Sequence, residues 1–599
     1  MKINTSKIIF ILRLVIAGFN LLAFACTVTL LIHPMHYLLF NLFGYAVLLT
    51  LFLNIVSAYL NTQYRYLDYG YLFLHIISML LIPVLNTLAA SDVQNKTSQS
   101  VFVFIIFIII FLFGTIITIL QLKDYILKQK SDAAENTQKT PGIFKNVLRW
   151  ISVVLICVNL FVGFYAAHIM LGFKKGDFNE VFISEFAVFW GLSMLASSVL
   201  IVKLLQRNKK SVIRGFSKTS VFGKATLDLF EKVGFRPLFQ EQFPKLTEFW
   251  KLLINKIILT AGILICAVFM LPLFSIPSTI KGADKAFRDA FGNTYLDDKT
   301  SVMQNGFMRS RFSLQDYFFG KRTQNYNVKE NVLYYEGDSG VDDGIKLHFD
   351  VYTPLNNESK INNQNPVLIR IHGGAWTMGD KGFSNYSAEN KHFVNLGYVV
   401  FDIQYGINDR NPSFGTAAVP ASVKGNFDID DMVCHIGLFT SFLADNADEY
   451  GANIDSVFIS GASAGGQLAN AAALGITSGR YTDILDPRLN IKGLIPFYPA
   501  NGLSPKVGIG GTQDLVDPSE MVDNNSPPCL IYHGTHDGVV PPIIAAAFKK
   551  TYDENSSAPC ALIWMKFSGH GSDFYTPGYF NQIFMYYMER FMYGVRIIK

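Results

Sequence analysis

The sequence places a serine where acyl-transfer chemistry would need a nucleophile. Residues SVFISGASAGG (456–466) form a predicted strand that runs into G-x-S-x-G, with Ser463 at the centre and the helix-forming stretch QLANAAALG after it. Gly461 and Gly465 permit the sharp turn that lifts the hydroxyl out of a sheet, and the start of a helix stabilises a developing anion. An isolated G-x-S-x-G occurs by chance in many proteins, so the strand context is what favours a nucleophile here.

Two later motifs supply the partners that such a serine requires. In PPCLIYHGTHDGVVPP (527–542) Asp537 follows a predicted strand, and in FSGHGSDF His570 lies between two glycines after the last predicted strand. Taken singly, Asp537 would be a turn residue and His570 a loop histidine. Their chain order after Ser463 is the order of an α/β-hydrolase triad. We therefore predict that His570 acts as general base and then general acid, while Asp537 orients its ring.

A glycine-rich turn, HGGAW (372–376), directly follows the predicted strand PVLIRI. Acyl transfer needs backbone N–H donors that point at the oxyanion, and glycines let the backbone approach it closely. The predicted donors are the amides of Gly373, Gly374 and Ala464, with Ala375 as a further candidate. A glycine-rich turn without a partner would carry no such role, but this one lies upstream of a strand-borne G-x-S-x-G.

The elements that must position these motifs begin near residue 326. From there strand-like runs alternate with helical stretches, which is typical of a sheet with helices on both faces. Several runs are apolar without alternation, as expected for central parallel strands. We predict a mostly parallel eight-stranded sheet over 326–599, with the motifs at the carboxyl ends of its strands. The predicted strands are NVLYYEG, IKLHFDVYTP, PVLIRIHGG, YVVFDIQYG, SVFISGASAGG, IKGLIPFYPA, PPCLIYHGTHD and CALIWMKFSGHG.

The rest of the chain has the composition of a membrane protein. Of 599 residues 50 % are hydrophobic and only 16 % are charged, against about 25 % charged in a soluble domain. We predict a multi-pass helical membrane domain over 1–280, a juxtamembrane linker over 281–325 that is amphipathic and lies on the bilayer, and a catalytic domain over 326–599. For the third and sixth spans a buried soluble helix is the alternative. The seven apolar runs that could each span a bilayer are 14–32, 37–60, 69–91, 101–122, 150–173, 186–205 and 257–280.

The orientation follows from the positions of lysine and arginine. Both residue types collect in the loops 123–149 and 206–256, which we place in the cytoplasm. The loops 92–100 and 174–185 lack that excess, so we place them outside, and basic residues ahead of the first run hold the N-terminus inside. Seven crossings then put the catalytic domain on the extracytoplasmic side, and a miscount by one would invert this. A cleavable signal peptide is the alternative for the first run, but that run is longer than usual and six more follow.

Composition also argues against several classes of function. The net charge is only +5, and basic blocks interleaved with aromatic residues are missing, so nucleic-acid binding is not expected. Six scattered cysteines without a C-x-x-C do not indicate a disulfide framework or a zinc site. His75 and His168 are the main ionisable residues inside the apolar runs, and we interpret both as packing residues. Little is therefore available for an ion pathway.

Residues 326–599 resemble the esterase/lipase branch of the α/β-hydrolase superfamily, the group of hormone-sensitive lipase and kynurenine formamidase. The motifs HGGAW, GASAGG, HGTHD and SGHG carry the resemblance, which covers under half of the chain. It implies a serine carboxylic-ester hydrolase with no metal and no organic cofactor. The residues that it assigns to the triad are Ser463, Asp537 and His570, and those that it assigns to the oxyanion hole are Gly373, Gly374 and Ala464.

Two positions refine that resemblance. Ala375 stands where hormone-sensitive-lipase relatives usually have a third glycine, which retains a backbone donor but changes the space for bulky alcohols. Ala464 follows the serine, whereas prolyl-oligopeptidase-like peptidases usually have tyrosine there, which favours an esterase. The seven-run region resembles no family that we recognise.

Three functions are consistent with these features. The first is a membrane-anchored serine esterase whose outward-facing site cleaves acyl esters of lipids, cell-surface polymers or small molecules. The second is an acyltransferase or deacetylase that acts on cell-surface polymers or lipids through the same acyl-enzyme. The third, a receptor whose hydrolase-like domain only binds a ligand, is disfavoured by the complete set of catalytic residues. The expected partners are an acyl-ester substrate and the lipid bilayer.

Overall fold

The structure is a computed structural model. It describes residues 5–32, 37–61, 64–128, 154, 158–159, 161–173, 183–206, 244–296, 306–324, 326–355, 365–382, 386–410 and 419–597.

Long apolar helices make up the N-terminal region. Their bounds are α1 Thr5–Ile32, α2 Tyr37–Leu60, α3 Arg65–Ser91, α4 Val101–Lys128, α5 Phe161–Met170, α6 Ala187–Gln206, α7 Pro244–Phe269 and α8 Leu271–Phe291. We call this set the helical bundle. Pro272 lies in the first turn of α8, where its missing amide hydrogen removes no helical hydrogen bond. The predicted boundary at residue 280 falls inside α8.

Within the described part of the chain, six helical stretches are long and apolar enough to cross a membrane. They are Ile8–Ile32, Leu42–Leu60, Tyr66–Ser91, Val101–Lys123, Ala187–Leu204 and Leu252–Phe291. The predicted count of seven is not confirmed. The remaining predicted span, 150–173, lies largely outside the described residues, and its described portion contains α5, which has only the ten residues Phe161–Met170.

Charged and polar residues are buried inside this bundle, which the sequence interpretation overlooked. Lys203 near the end of α6 pairs with Asp68 at the start of α3, with Nζ 2.8 Å from Oδ2. Asn61 donates to the same carboxylate at 2.9 and 3.0 Å. The side-chain amides of Asn20 and Asn54 bond each other reciprocally at 2.7 and 2.8 Å. These contacts add polar links between helices that otherwise pack through apolar side chains.

The C-terminal region is built on one eight-stranded sheet. Its strands are β1 Asn327–Glu336, β2 Lys346–Thr353, β3 Asn365–Ile371, β4 Val399–Ile403, β5 Ala452–Ala462, β6 Ile491–Phe497, β7 Cys529–Gly534 and β8 Cys560–Met565. Their order across the sheet is β1-β2-β4-β3-β5-β6-β7-β8. The sheet is mixed, because β2 pairs antiparallel with both β1 and β4, whereas the pairs from β4 to β8 are parallel.

The helices of the C-terminal region are α9 Leu314–Phe319, which precedes β1, then α10 Tyr386–Asn395, α11 Ile429–Asn446, α12 Ala464–Ser478, α13 Gln513–Val516, α14 Pro542–Asn555 and α15 Tyr579–Ile597. Five of them, α10, α11, α12, α14 and α15, cover the two faces of the sheet. One face packs on α11, α12 and α14. The other face packs on α10 and α15, and its core continues into the helical bundle. Leu368 of β3 points to the bundle side while Val367 and Ile369 point away, so both faces of the strand are buried.

Within the predicted linker 281–325, the described helix α9 packs against the bundle. Five of the six residues of α9 are buried, and Phe319 packs its ring 4.6 Å from that of Phe107 in α4. Gly44 of α2 allows this close approach, since a Cβ there would lie 2.4 Å from the Gln315 amide nitrogen. A second junction is formed by Lys391 of α10, whose ammonium donates to the carbonyls of Ala90 and Asp92 at the end of α3.

Candidate active site

Ser463 occupies the turn between β5 and α12. Its φ of 57° and ψ of −120° are unusual for a residue other than glycine and are typical of a nucleophile held on a tight strand-to-helix turn. The backbone fixes this geometry from the neighbouring strand. The Ser463 amide donates to the Phe497 carbonyl at 2.9 Å, and the Ala500 amide donates to the Ser463 carbonyl at 3.1 Å.

The two glycines of the motif are required by close backbone contacts. A Cβ on Gly461 would lie 2.2 Å from the Gly465 carbonyl oxygen. A Cβ on Gly465 would lie 2.3 Å from the carbonyl oxygens of both Ile371 and His372. The turn that carries Ser463 is therefore packed directly against the end of β3, from which the glycine-rich loop begins.

Ser463, His570 and Asp537 form a chain in which His570 lies within hydrogen-bonding distance of both other residues. His570 Nε2 is 3.0 Å from Ser463 Oγ, and His570 Nδ1 is 2.8 Å from Asp537 Oδ2. The other Asp537 oxygen accepts hydrogen bonds from the amides of Val539 and Val540 at 3.0 and 2.8 Å. Because the carboxylate holds the proton on Nδ1, Nε2 is left to accept the serine proton. This arrangement can support nucleophilic acyl transfer.

A second histidine, His533, lies beside the same aspartate. Its Nε2 donates to the Val540 carbonyl at 3.0 Å and lies 3.5 Å from Asp537 Oδ2. Burial lowers the pKa of His533, which favours the neutral ring. We interpret His533 as a support for the loop that carries Asp537.

The HGGAW loop lies directly against the serine. A Cβ on Gly373 would be 3.3 Å from the Cβ of Ser463, and Gly374 has a φ of 126°. Ala375 also adopts a positive φ, 52°, a conformation that favours glycine. Ala464 is the first residue of α12, where an amide hydrogen has no acceptor within its own helix. Gly373 and Ala464 therefore lie directly beside Ser463, and the role of Gly373, Gly374 and Ala464 as oxyanion donors stays a prediction.

The indole of Trp376 connects this loop to α12, the helix that follows Ser463. Its Nε1 donates to Gln467 Oε1 at 2.8 Å, and Gln467 Nε2 donates to the Leu515 carbonyl at 2.6 Å. Both side chains are buried. The contact fixes the position of the loop relative to α12 and hence relative to Ser463.

Comparisons with known proteins relate the C-terminal region to esterases. The family model BD-FAE matches residues 349–503. The probable carboxylic ester hydrolase LipM of Mycobacterium tuberculosis is 24 % identical over 230 residues, which cover 35 % of this chain and 49 % of LipM. The esterase LipQ of the same organism is 24 % identical over 237 residues, or 35 % of this chain and 50 % of LipQ. The C-terminal domain is an α/β-hydrolase of the esterase and lipase branch.

Further similarities extend beyond that organism. The isoprenylcysteine alpha-carbonyl methylesterase ICME of Arabidopsis thaliana is 27 % identical over 173 residues, or 29 % of this chain and 32 % of ICME. Among solved structures, apo Thermogutta terrifontis esterase 2 aligns with 44 % of this chain and 91 % of its own at 20 % identity, with a TM-score of 0.34. The chain spans about half the length of the curated relatives LipM and LipQ.

Two residues near His570 in the hydrolase domain were missed by the sequence interpretation. The ring of Tyr498 lies 4.5 Å from the imidazole of His570, and its hydroxyl donates to Asp573 Oδ1 at 2.5 Å. Burial raises the pKa of Asp573, while the hydrogen bond from Tyr498 and the charge of Arg370 oppose that rise. Asp573 is visible in FSGHGSDF, but nothing in the sequence distinguishes it from an exposed loop aspartate.

A buried arginine of β3, Arg370, contributes a positive charge near this polar group. Arg370 is fully buried, pairs with Glu389 of α10 and lies with its guanidinium carbon 4.3 Å from the centre of the Tyr386 ring. Within the described residues no group of three or more histidine, cysteine, aspartate or glutamate side chains is arranged to hold a metal ion.

Proposed function

We propose that this protein is a membrane-anchored serine esterase that cleaves carboxylic esters through an acyl-enzyme on Ser463. The proposal is carried by the continuous hydrogen-bonded chain from Ser463 Oγ through His570 to Asp537, with distances of 3.0 and 2.8 Å. It is supported by the carboxylic ester hydrolases among the relatives. The HGGAW loop beside the serine adds the group that an ester oxyanion would need.

The proposed reaction proceeds in two halves. Ser463 Oγ attacks the ester carbonyl carbon while its proton passes to His570 Nε2, and His570 then returns that proton to the leaving oxygen, which departs as an alcohol. The acyl group remains on Ser463. His570 next takes a proton from water, the water oxygen attacks the acyl carbon, and the proton returns to Ser463 Oγ as the carboxylic acid leaves. Asp537 orients the ring and stabilises the imidazolium.

The amides of Gly373, Gly374 and Ala464 are the proposed donors to the oxyanion. Each half-reaction passes through a tetrahedral intermediate whose negative charge forms on the former carbonyl oxygen. Donors that are already in place need no rearrangement when that charge appears. The loss of one such donor typically slows acyl transfer by about 10²–10³-fold.

We further propose that the hydrolase domain lies on the extracytoplasmic side with the bilayer beneath it. Support comes from the loops that the charge rule assigns to the outside. Lys391 of the hydrolase domain bonds the end of α3, and Glu185, just before α6, bonds Tyr575. An antibody against an epitope placed after Lys599 should therefore bind intact spheroplasts. Binding only after permeabilisation would contradict this orientation.

Hydrolysis of a soluble short-chain p-nitrophenyl ester by purified full-length protein tests the proposed activity. We expect turnover by the native protein, loss of at least about 10³-fold in Ser463→Ala, and native turnover in the control Ser478→Ala, which changes a serine at the end of α12. Turnover that persists in Ser463→Ala, or its absence from the native protein, would refute the proposal. An added alcohol that diverts the acyl group to a new ester would identify the acyltransferase instead.

A further inference from the structure

The segment that follows His570 is held by the helical bundle, not only by the hydrolase domain. Tyr575 lies five residues after His570 and is fully buried. Its hydroxyl accepts a hydrogen bond from Asn86 of α3 at 3.0 Å and donates to the Tyr317 carbonyl of α9. Its ring packs edge-on against Phe186 at 5.3 Å. Residues of α3, of α9 and of the segment just before α6 therefore converge on this tyrosine.

At the junction around Tyr575 the bundle side contributes an acidic residue, Glu185. It precedes α6, is 1 % exposed, and accepts the Tyr575 amide hydrogen on Oε2 at 3.0 Å. Its own backbone is fixed as well, because the Tyr317 hydroxyl donates to the Glu185 carbonyl at 3.0 Å. The preceding carbonyl, that of Ser184, accepts a hydrogen bond from the Tyr579 hydroxyl at the start of α15. The carboxyl group thus sits on a rigid support and points at the chain that leads from His570.

The surroundings favour a neutral Glu185. Burial raises its pKa well above the ordinary value, the nearby Asp573 raises it further, and the amides of Tyr575 and Phe574 oppose the rise. Glu185 Oε1 is buried and has no hydrogen-bond partner among the described residues. The carbonyl oxygen of a neutral carboxyl group accepts the hydrogen bond of the Tyr575 amide just as the oxygen of a side-chain amide would. Glutamine is therefore the closest replacement for Glu185.

We propose that Glu185, which the helical bundle supplies, is a positioning residue for His570, so that the esterase site is incomplete without the bundle. The inference rests on the proposed function. Glu185 fixes Tyr575, and the short segment between Tyr575 and His570 includes Asp573, which is anchored to Tyr498. His570 is thereby held between two partners at 3.0 and 2.8 Å. A displacement of about 1 Å in such a catalytic group slows a reaction roughly 10²-fold.

Three variants of full-length protein in detergent test this role against a soluble short-chain ester. Glu185→Ala removes the acceptor of the Tyr575 amide, and we expect kcat to fall about 10–100-fold while KM changes less than about threefold. Glu185→Gln retains an acceptor, and we expect kcat within about threefold of the native value. The matched control, Tyr326→Phe, removes another hydrogen bond between bundle and hydrolase domain, from Tyr326 to the Val93 carbonyl at 2.6 Å, and should leave kcat unchanged.

The active fraction of each preparation is counted by titration with a fluorophosphonate, so that loss of folded protein is not mistaken for slow chemistry. If Glu185→Ala lowers only the active fraction and leaves kcat per active site unchanged, Glu185 is merely structural and the inference fails. Failure of Glu185→Gln to restore kcat would also overturn it. If Glu185→Ala does not fold, Glu185→Asp takes its place, because it withdraws the carboxyl group by one methylene. We expect Glu185→Asp to lower kcat per active site, and a native kcat in this variant would contradict the inference. An inactive native protein would instead refute the proposed function.

Discussion

Gly465 offers the sharpest test of how the nucleophile turn and the glycine-rich loop depend on each other. In Gly465→Ala the new Cβ would lie 2.3 Å from the carbonyl oxygens of Ile371 and His372. Both contacts are with backbone, so no side chain can rotate away. To reach ordinary contact the two segments must separate by roughly 1 Å. That movement changes the distance between Ser463 and the predicted oxyanion donors.

The expected size follows from that displacement. A misplacement of about 1 Å at a reacting group slows catalysis roughly 10²-fold, and overpacking of a core contact destabilises a protein by about 1–3 kcal/mol. We therefore expect kcat/KM for a soluble short-chain ester to fall about 100-fold in Gly465→Ala, with a lower melting temperature in detergent.

A matched glycine substitution serves as the control. Gly282 of α8 has no atom within 4 Å of its added Cβ, so Gly282→Ala should retain native kcat/KM and gain up to about 1 kcal/mol from helix propensity. If Gly465→Ala kept kcat/KM within about threefold of the native value, the close packing of the turn against β3 would not set the site geometry. The reasoning would then be refuted.

Three further predictions concern the candidate site and the core of the hydrolase domain. Asp537→Asn should lower kcat about 10⁴-fold without unfolding the protein, because the amide no longer holds the productive tautomer of His570; a kcat within tenfold of native would contradict the proposed role. Trp376→Phe leaves Gln467 Oε1 buried without its donor, so unfolding by denaturant should show a loss of about 1–3 kcal/mol. Asp402 lies in β4 and is fully buried. Burial, reinforced by the nearby carboxylate of Asp350, raises the pKa of Asp402 to about 7. The folded protein therefore retains a proton between about pH 4 and 7 that the unfolded chain releases, and stability should decline with rising pH by roughly 4 kcal/mol across that window. The free energy of unfolding, measured at pH 5 and pH 8, should therefore decline less in Asp402→Asn than in the native protein. An equal decline in both proteins would contradict the raised pKa of Asp402.

The residues of the candidate site were predictable because each is marked by its own short motif. Ser463, Asp537 and His570 each follow a strand, and the strands β5, β7 and β8 belong to the parallel part of the sheet. The carboxyl ends of such strands meet at one edge, so their proximity follows from local signals. The catalytic roles of these residues stay predictions until the variants are measured.

The contacts between the helical bundle and the segment after His570 could not be predicted from any local sequence motif. Glu185 is an acidic residue in a loop that served only to judge orientation, and its burial arises because α9 and the segment after His570 close over it. The partners Glu185 and Tyr575 are 390 residues apart. Lys203 and Asp68 likewise stand near the ends of separate helices, where a charge is expected to face water rather than another helix. Such pairings depend on how helices associate, which hydropathy does not encode.

The most direct measurement of the central claim is the identity of the residue that a fluorophosphonate modifies. Membranes that contain the full-length protein are treated with the probe, and the adduct is located by mass spectrometry of the proteolytic peptides. We predict one adduct on Ser463, formed rapidly in the native protein and at least about 10³-fold more slowly in His570→Ala, because the hydroxyl then lacks its base. An adduct at another residue, or equal labelling of the native protein and His570→Ala, would contradict a serine esterase that works through Ser463.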